Sequence, residues 1–152
     1  GASKASGEVR AANFMHIRTS IIGPELTSKQ SLFEWVRNQP ESATVMGFAN
    51  HRWNGVTTEA FAKVARGIID KELFAPTTQH LVPADSVSKA ELVRLIAERT
   101  SRTDLNIVPQ IQPVAVDRTL KTMNKDRNLA LWQAGSYARP PRIVEMIGEM
   151  SV

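Results

Sequence analysis

The chain has 152 residues, 42% hydrophobic and 22% charged, and carries a formal net charge of +4. That usage belongs to a folded domain with a core and excludes a disordered or low-complexity chain. Without a single cysteine there is no disulfide framework or thiolate metal site. His16, His51 and His80 share no ligand spacing, so no metal is expected. The longest apolar runs fall far short of the roughly 20 residues that cross a bilayer, so the expectation is a soluble, cytoplasmic protein with no membrane partner. Lysines and arginines are scattered instead of forming a stripe with interleaved aromatics, which argues against nucleic acid and for a small anionic molecule as partner.

In chain order, Ser3 to Ala12 mixes Ala, Lys, Glu and Arg without proline and predicts a helix that stops at Asn13. Phe14 to Ile22 is rich in Ile and Phe and ends at Gly23-Pro24, the pattern of a strand delivered into a turn. Its near-continuous apolar character suits a parallel sheet covered on both faces. Ser31-Leu-Phe-Glu34 fits a capping box for a short helix to about Asn38. Thr57 or Thr58 can cap a second helix, in which Phe61, Val64, Ala65, Ile68 and Ile69 form an amphipathic stripe. A short strand is expected over 79–82. Ser88-Lys-Ala-Glu91 repeats the capping box for a helix to about Arg99. Residues 105–111 are extended but carry Pro109, so an edge strand or a loop is expected. Thr119 to Asn128 gives little signal. Pro140-Pro141 precedes Ile143, Met146 and Ile147 on one face of a closing helix.

Three segments together carry a resemblance. They are Gly1-Ala2-Ser3-Lys4 with Gly7-Glu8, Arg18-Thr-Ser-Ile-Ile-Gly-Pro24, and Trp53-Asn-Gly-Val-Thr-Thr58 followed by the amphipathic helix. They resemble the extended short-chain dehydrogenase/reductases, whose catalytic helix bears Tyr-x-x-x-Lys, and within them the sugar-nucleotide enzymes of the dTDP-4-dehydrorhamnose reductase type. The resemblance covers most of residues 1–100. It implies an α/β fold: the C-terminal part of a Rossmann-type parallel sheet, residues 1–24 and 56–83, with a smaller α+β substrate-binding domain, residues 25–55 and 84–152. The chain then reads as the C-terminal half of a longer enzyme, beginning just after the catalytic tyrosine.

What the resemblance implies for function is hydride transfer from NAD(P)H to a keto sugar bound as its nucleoside diphosphate, in polysaccharide biosynthesis. Epimerase or dehydratase chemistry on the same substrates stays open, as does a non-catalytic module that keeps the fold. Residues four apart on a helix share a face, so Lys4 would stand beside the tyrosine, lower its pKa and contact the nicotinamide ribose; an ordinary solvated lysine is the alternative. Ser20, Ile21 and Ile22 would line the nicotinamide, or be a plain buried strand end. Asn50, Arg52, Trp53 and Asn54 are expected in a loop that grips the sugar or the base, although Trp53 serves equally as a plug of the core. Arg118 would contact the diphosphate, unless it belongs to the solvated surface. No Gly-x-Gly-x-x-Gly occurs anywhere in the chain, so the chain alone is expected neither to bind a dinucleotide nor to turn over substrate. A homodimer of the longer enzyme is a further expectation.

Overall fold

The computed structural model describes residues 5–9 and 11–151. Strands β1 (His16–Arg18), β2 (Ile21–Ile22), β3 (Thr44–Phe48), β4 (His51–Trp53), β5 (Val56–Thr57), β6 (Thr78–His80), β7 (Val87–Ser88), β8 (Asn106–Gln110) and β9 (Val116–Asp117) are interleaved with helices. These are α1 (Leu32–Arg37), α2 (Thr58–Asp70), α3 (Lys89–Arg99), α4 (Lys125–Ala134) and α5 (Ile143–Glu149). Strands returning after a helix pair in parallel, as α/β connections require: β1 with β6, β2 with β5, β3 with β8 and β4 with β9. Among the described residues only β4 with β7 runs antiparallel.

The helices form where their caps say they should. Thr57 accepts from the backbone N–H of Ala60 at 3.2 Å, and Ser88 from that of Glu91 at 3.1 Å, satisfying donors that the first turn leaves free. Ser31 likewise accepts from Glu34 N at 3.3 Å, but the second half of the expected box differs. Here Glu25 takes the Ser31 N–H at 2.9 Å, while the buried Glu34 carboxylate accepts from Glu25 N at 3.2 Å. One apolar core runs through the described chain and unites Phe33, Val64, Leu81, Ile96, Trp132 and Met146. In it α1 packs on α3, and α2 on α4. Among the described residues no helix is long and apolar enough to cross a membrane.

Several expectations need correction. Within the expected helix over 3–12, only Ala5 and Ser6 are helical among the described residues, and the chain turns at Gly7. Glycine costs about 1 kcal/mol in a helix interior, and Glu8 is drawn off to Arg18, which meets both its carboxylate oxygens at 2.7 Å. Residues 14–22 are two strands, not one, because β1 and β2 pair with different partners, β6 and β5. The stripe on α2 is rotated: Ala60, Val64, Gly67 and Ile68 are buried, whereas Ile69 is 76% exposed. The strand expected over 79–82 lies at Thr78–His80. The loop expected over residues 50–54 contains strand β4, pinned on both edges by β7 and β9.

Candidate functional site

Strands β2 and β5 run in parallel and end together, and the chain leaves β5 directly into the first turn of α2. Carboxyl ends of parallel strands are where open α/β sheets bind ligands. A cavity of about 590 Å³ lies there, walled by Ile21 and Ile22 from β2, Thr58 from α2, Phe48 from β3, and Trp53 and Arg52 from β4. Lys89 at the start of α3 and Arg118 just beyond β9 complete its rim.

The register of the small sheet β7-β4-β9 gathers the cations. Arg52 stands opposite Ser88 on one side and Asp117 on the other. Lys89 and Arg118 are each the next residue along, and Arg118 N donates to Arg52 O at 3.0 Å. The Arg52 guanidinium is steadied by the Ser86 carbonyl, to which Nη2 donates at 2.7 Å. The Lys89 ammonium sits 5.3 Å from the centre of the Phe48 ring, a contact worth about 0.5–1 kcal/mol at an exposed site. Phe48 in turn meets His51 at 4.7 Å between ring centres. Among the described residues none of these three cations makes a direct ion pair, although Arg52 lies close enough to its cross-strand partner Asp117 to help the Thr119 N–H hold that carboxyl low. Glu25 also lines the cavity, but its carboxylate accepts backbone N–H groups from Gln30 and Ser31 at 2.6 and 2.9 Å, and those bonds, that of Ser31 foremost, hold its pKa below the usual range. Asp117 is likewise lowered, by the Thr119 N–H.

The expected site residues divide. Ile21, Ile22, Arg52, Trp53 and Arg118 come together around the cavity. The Ser20 hydroxyl accepts from the Trp53 indole N–H at 2.8 Å and so fixes the ring that walls the cavity; the ring also packs on the edge of the core. Asn50 and Asn54 do not line it. Each imitates a strand edge: Asn50 donates to Gln112 O at 2.8 Å and accepts from Gln112 N at 3.0 Å, while Asn54 does the same with Leu120 at 2.8 and 2.6 Å. Burial requires such pairing of an amide, and it leaves these side chains holding the 112–120 segment against β4. Lys4 lies outside the described residues. Sequence reasoning missed Lys89, Phe48, His51 and Thr58. The capping box at Ser88 marks Lys89 as the start of one helix, and Thr57 or Thr58 as cap marks the start of another; what these signals leave unsaid is that the two helices begin at one cavity.

The one tyrosine of the chain, Tyr137 in the connection after α4, does meet a lysine, but one from α2. Lys63 Nζ lies 5.8 Å from its ring centre, and the phenol donates to Glu149 Oε2 at 2.9 Å. Burial, then the Glu149 bond, push the phenol pKa up to about 12, the opposite of what a proton donor working near neutrality needs. Because the folded-state value is raised, the protonated form is favoured below the ordinary tyrosine range, and that contribution is lost as pH rises through about 12. Alkaline titration followed at 295 nm should therefore show almost no phenolate at about pH 10.5, where a free tyrosine is mostly ionised. A midpoint near 10 in the folded protein would remove the Glu149 bond from this account.

No protein-family model and no curated protein matches the sequence. Solved structures do resemble it. A dTDP-4-dehydrorhamnose reductase from Yersinia enterocolitica superposes with a TM-score of 0.65 at 11% identity, over 89% of this chain and 47% of that one. The reductase of the same name from Bacillus anthracis, in complex with NADP, gives 0.61 at 14% over 88% and 46%. That from Clostridium acetobutylicum gives 0.59 at 14% over 89% and 46%. The chain thus spans about half the length of the structures it resembles. Its mixed α/β architecture with parallel sheet pieces is the Rossmann-like fold of these reductases over the part of their length that it covers.

Proposed function

We propose that the chain is the sugar-nucleotide-binding portion of an NAD(P)-dependent reductase acting on a nucleoside-diphosphate keto sugar, in the making of cell-surface sugars. The observation that carries this reading is the cavity at the ends of β2 and β5. Trp53 and Phe48 offer aromatic surface to a base or a sugar face, and Arg52, Lys89 and Arg118 offer charge to a diphosphate. Residues 1–24 and 56–83 belong to the dinucleotide-binding part, and residues 25–55 and 84–152 to the substrate-binding part. The packing of α2 on α4 ties the two.

The fit to NAD(P) is partial. Ile21 and Ile22 give an apolar wall suited to one face of a nicotinamide ring, and Lys4 is the residue proposed for its ribose and for the catalytic tyrosine. The cofactor would supply the hydride. The pyrophosphate of a dinucleotide needs close backbone approach in a glycine-rich turn, and no such fingerprint exists in this sequence. Dinucleotide binding and turnover are therefore assigned to the longer protein.

Calorimetry with dTDP-glucose tests the reading. Binding in the micromolar to millimolar range is expected, weakening with salt because charged groups at an open rim are screened within about 10 Å at 0.1 M. Arg118→Glu should lower affinity at least tenfold, about 1.4 kcal/mol, since the exposed arginine is replaced by a charge that repels a diphosphate. Undiminished binding by a folded Arg118→Glu protein, or no binding by the unaltered chain at millimolar concentration, would sink it.

A further inference from the structure

We propose that Lys89 is the specificity-determining residue that makes the cavity prefer a pyrophosphate to a single phosphate. This rests on the sugar-nucleotide reading of the same cavity and adds which group of the ligand is read and by what. The sheet β7-β4-β9 holds three cationic side chains in a row: Arg52 in the middle strand, with Lys89 and Arg118 one residue beyond its two cross-strand partners. Their availability differs. Arg52 spends Nη2 on Ser86, whereas the Lys89 ammonium contacts only the Phe48 ring face and keeps its N–H donors, and the Arg118 side chain makes no hydrogen bond or ion pair among the described residues.

Lys89 differs from Arg118 in a second respect. It is half-buried, and its ammonium is held over Phe48, while Arg118 is exposed. A held, partly desolvated cation discriminates by position; an exposed one attracts any anion. One phosphate can be met by the two arginines, whose guanidinium groups match phosphate oxygens in pairs. The second phosphate of a pyrophosphate then falls to the ammonium on the far side of Arg52. Glu25 lines the same cavity as an anion, its Oε2 turned to the backbone N–H groups of Gln30 and Ser31, and it forms no ion pair with Lys89 among the described residues.

The experiment is calorimetric titration of the full chain, its Lys89→Gln variant and its Lys89→Arg variant with inorganic pyrophosphate, inorganic phosphate and dTDP-glucose, with folding checked by circular dichroism. Lys89→Gln should weaken pyrophosphate and dTDP-glucose about tenfold and phosphate by less than about twofold, a tenfold change being one unit of log affinity. Lys89→Arg should restore most of the loss. Equal losses for phosphate and pyrophosphate, or none for either, overturn the assignment while leaving the sugar-nucleotide reading intact if dTDP-glucose still binds. Binding of pyrophosphate that depends on Lys89, with no binding of dTDP-glucose, supports the assignment and rejects the sugar-nucleotide reading.

Discussion

Replacing Gly67 by alanine should destabilise the protein by about 2–4 kcal/mol, although alanine is the better helix former. Gly67 lies inside the last turn of α2, where exchange for alanine on its own gains up to about 1 kcal/mol. Against that, an added Cβ would stand 2.0 Å from the carbonyl oxygen of Ala134 and 2.4 Å from its carbon. These are backbone atoms at the end of α4, so no side chain can swing away. The helices must part, and α2 and α4 cover the same core from which Val64, Leu131 and Trp132 draw their burial. Overpacking typically costs 1–3 kcal/mol and more where, as here, only backbone could give way; a cost of about 3–5 kcal/mol, less the propensity gain of about 1, leaves the net loss. For a chain of this size the melting temperature should fall by roughly 5–15 °C. The control is Gly148→Ala in α5, where nothing lies within 4 Å of the added carbon; it should be neutral or slightly stabilising. Equal melting temperatures for the two variants would show that α2 and α4 are not in backbone contact.

Gly67 also marks where sequence reading ends. The helix itself was legible, cap and length included, since Thr57 and the apolar spacing are local signals. Its buried face was legible only in part: Val64 and Ile68 are buried and Phe61 packs on the core, but a glycine chosen for close approach carries no hydrophobic signal and Ile69 carries a strong one while facing solvent. Strands β3 and β4 and helix α4 escaped for related reasons. β4 is three residues of His, Arg and Trp, held by neighbours from distant parts of the chain. Helix α4 buries Asn128 next to Leu131 and Trp132, so its apolar period is broken by an amide. In the candidate site, residue types single out Arg52, Trp53 and Arg118, which the structure places around one cavity. They say less where an amide serves the backbone. Asn50 and Asn54 have the composition of sugar contacts and the geometry of clamps, and only the partner segment at 112–120 distinguishes the two. Lys89 was read for its helix start alone, since nothing local says that Phe48, some forty positions earlier, holds its ammonium.

Asn128→Ala should cost about 2–4 kcal/mol and lower the melting temperature by roughly 5–15 °C. Asn128 is buried on α4 and brackets Val82, accepting from its N–H at 3.0 Å and donating to its carbonyl at 3.1 Å. The carbonyl has a second donor in the Trp132 indole at 2.8 Å, but the Val82 N–H has none in the variant. An orphaned buried donor costs about 1–3 kcal/mol, and the space vacated by the amide adds to that. Asn128→Asp refines the test through its pH dependence. The introduced carboxyl can accept from Val82 N in either state, yet can donate to Val82 O only when protonated. Burial raises its folded-state pKa above the unfolded value of about 3.9. Its penalty relative to the unaltered chain is therefore smallest below that value and grows as pH rises through the folded-state pKa. Urea unfolding of both proteins at about pH 4 and pH 7 should show the gap widening at the higher pH; a constant gap would mean that water reaches Asn128. The consequence extends to the cavity. Val82 opens the segment that carries Ser86, against which Arg52 is braced, and then Lys89, and it is tied at Asp85 to the start of α5 by the Ile143 N–H at 2.9 Å. Loosening Val82 should thus weaken pyrophosphate binding in the folded fraction as well, since two of the three cations at the cavity are positioned through the segment that it anchors.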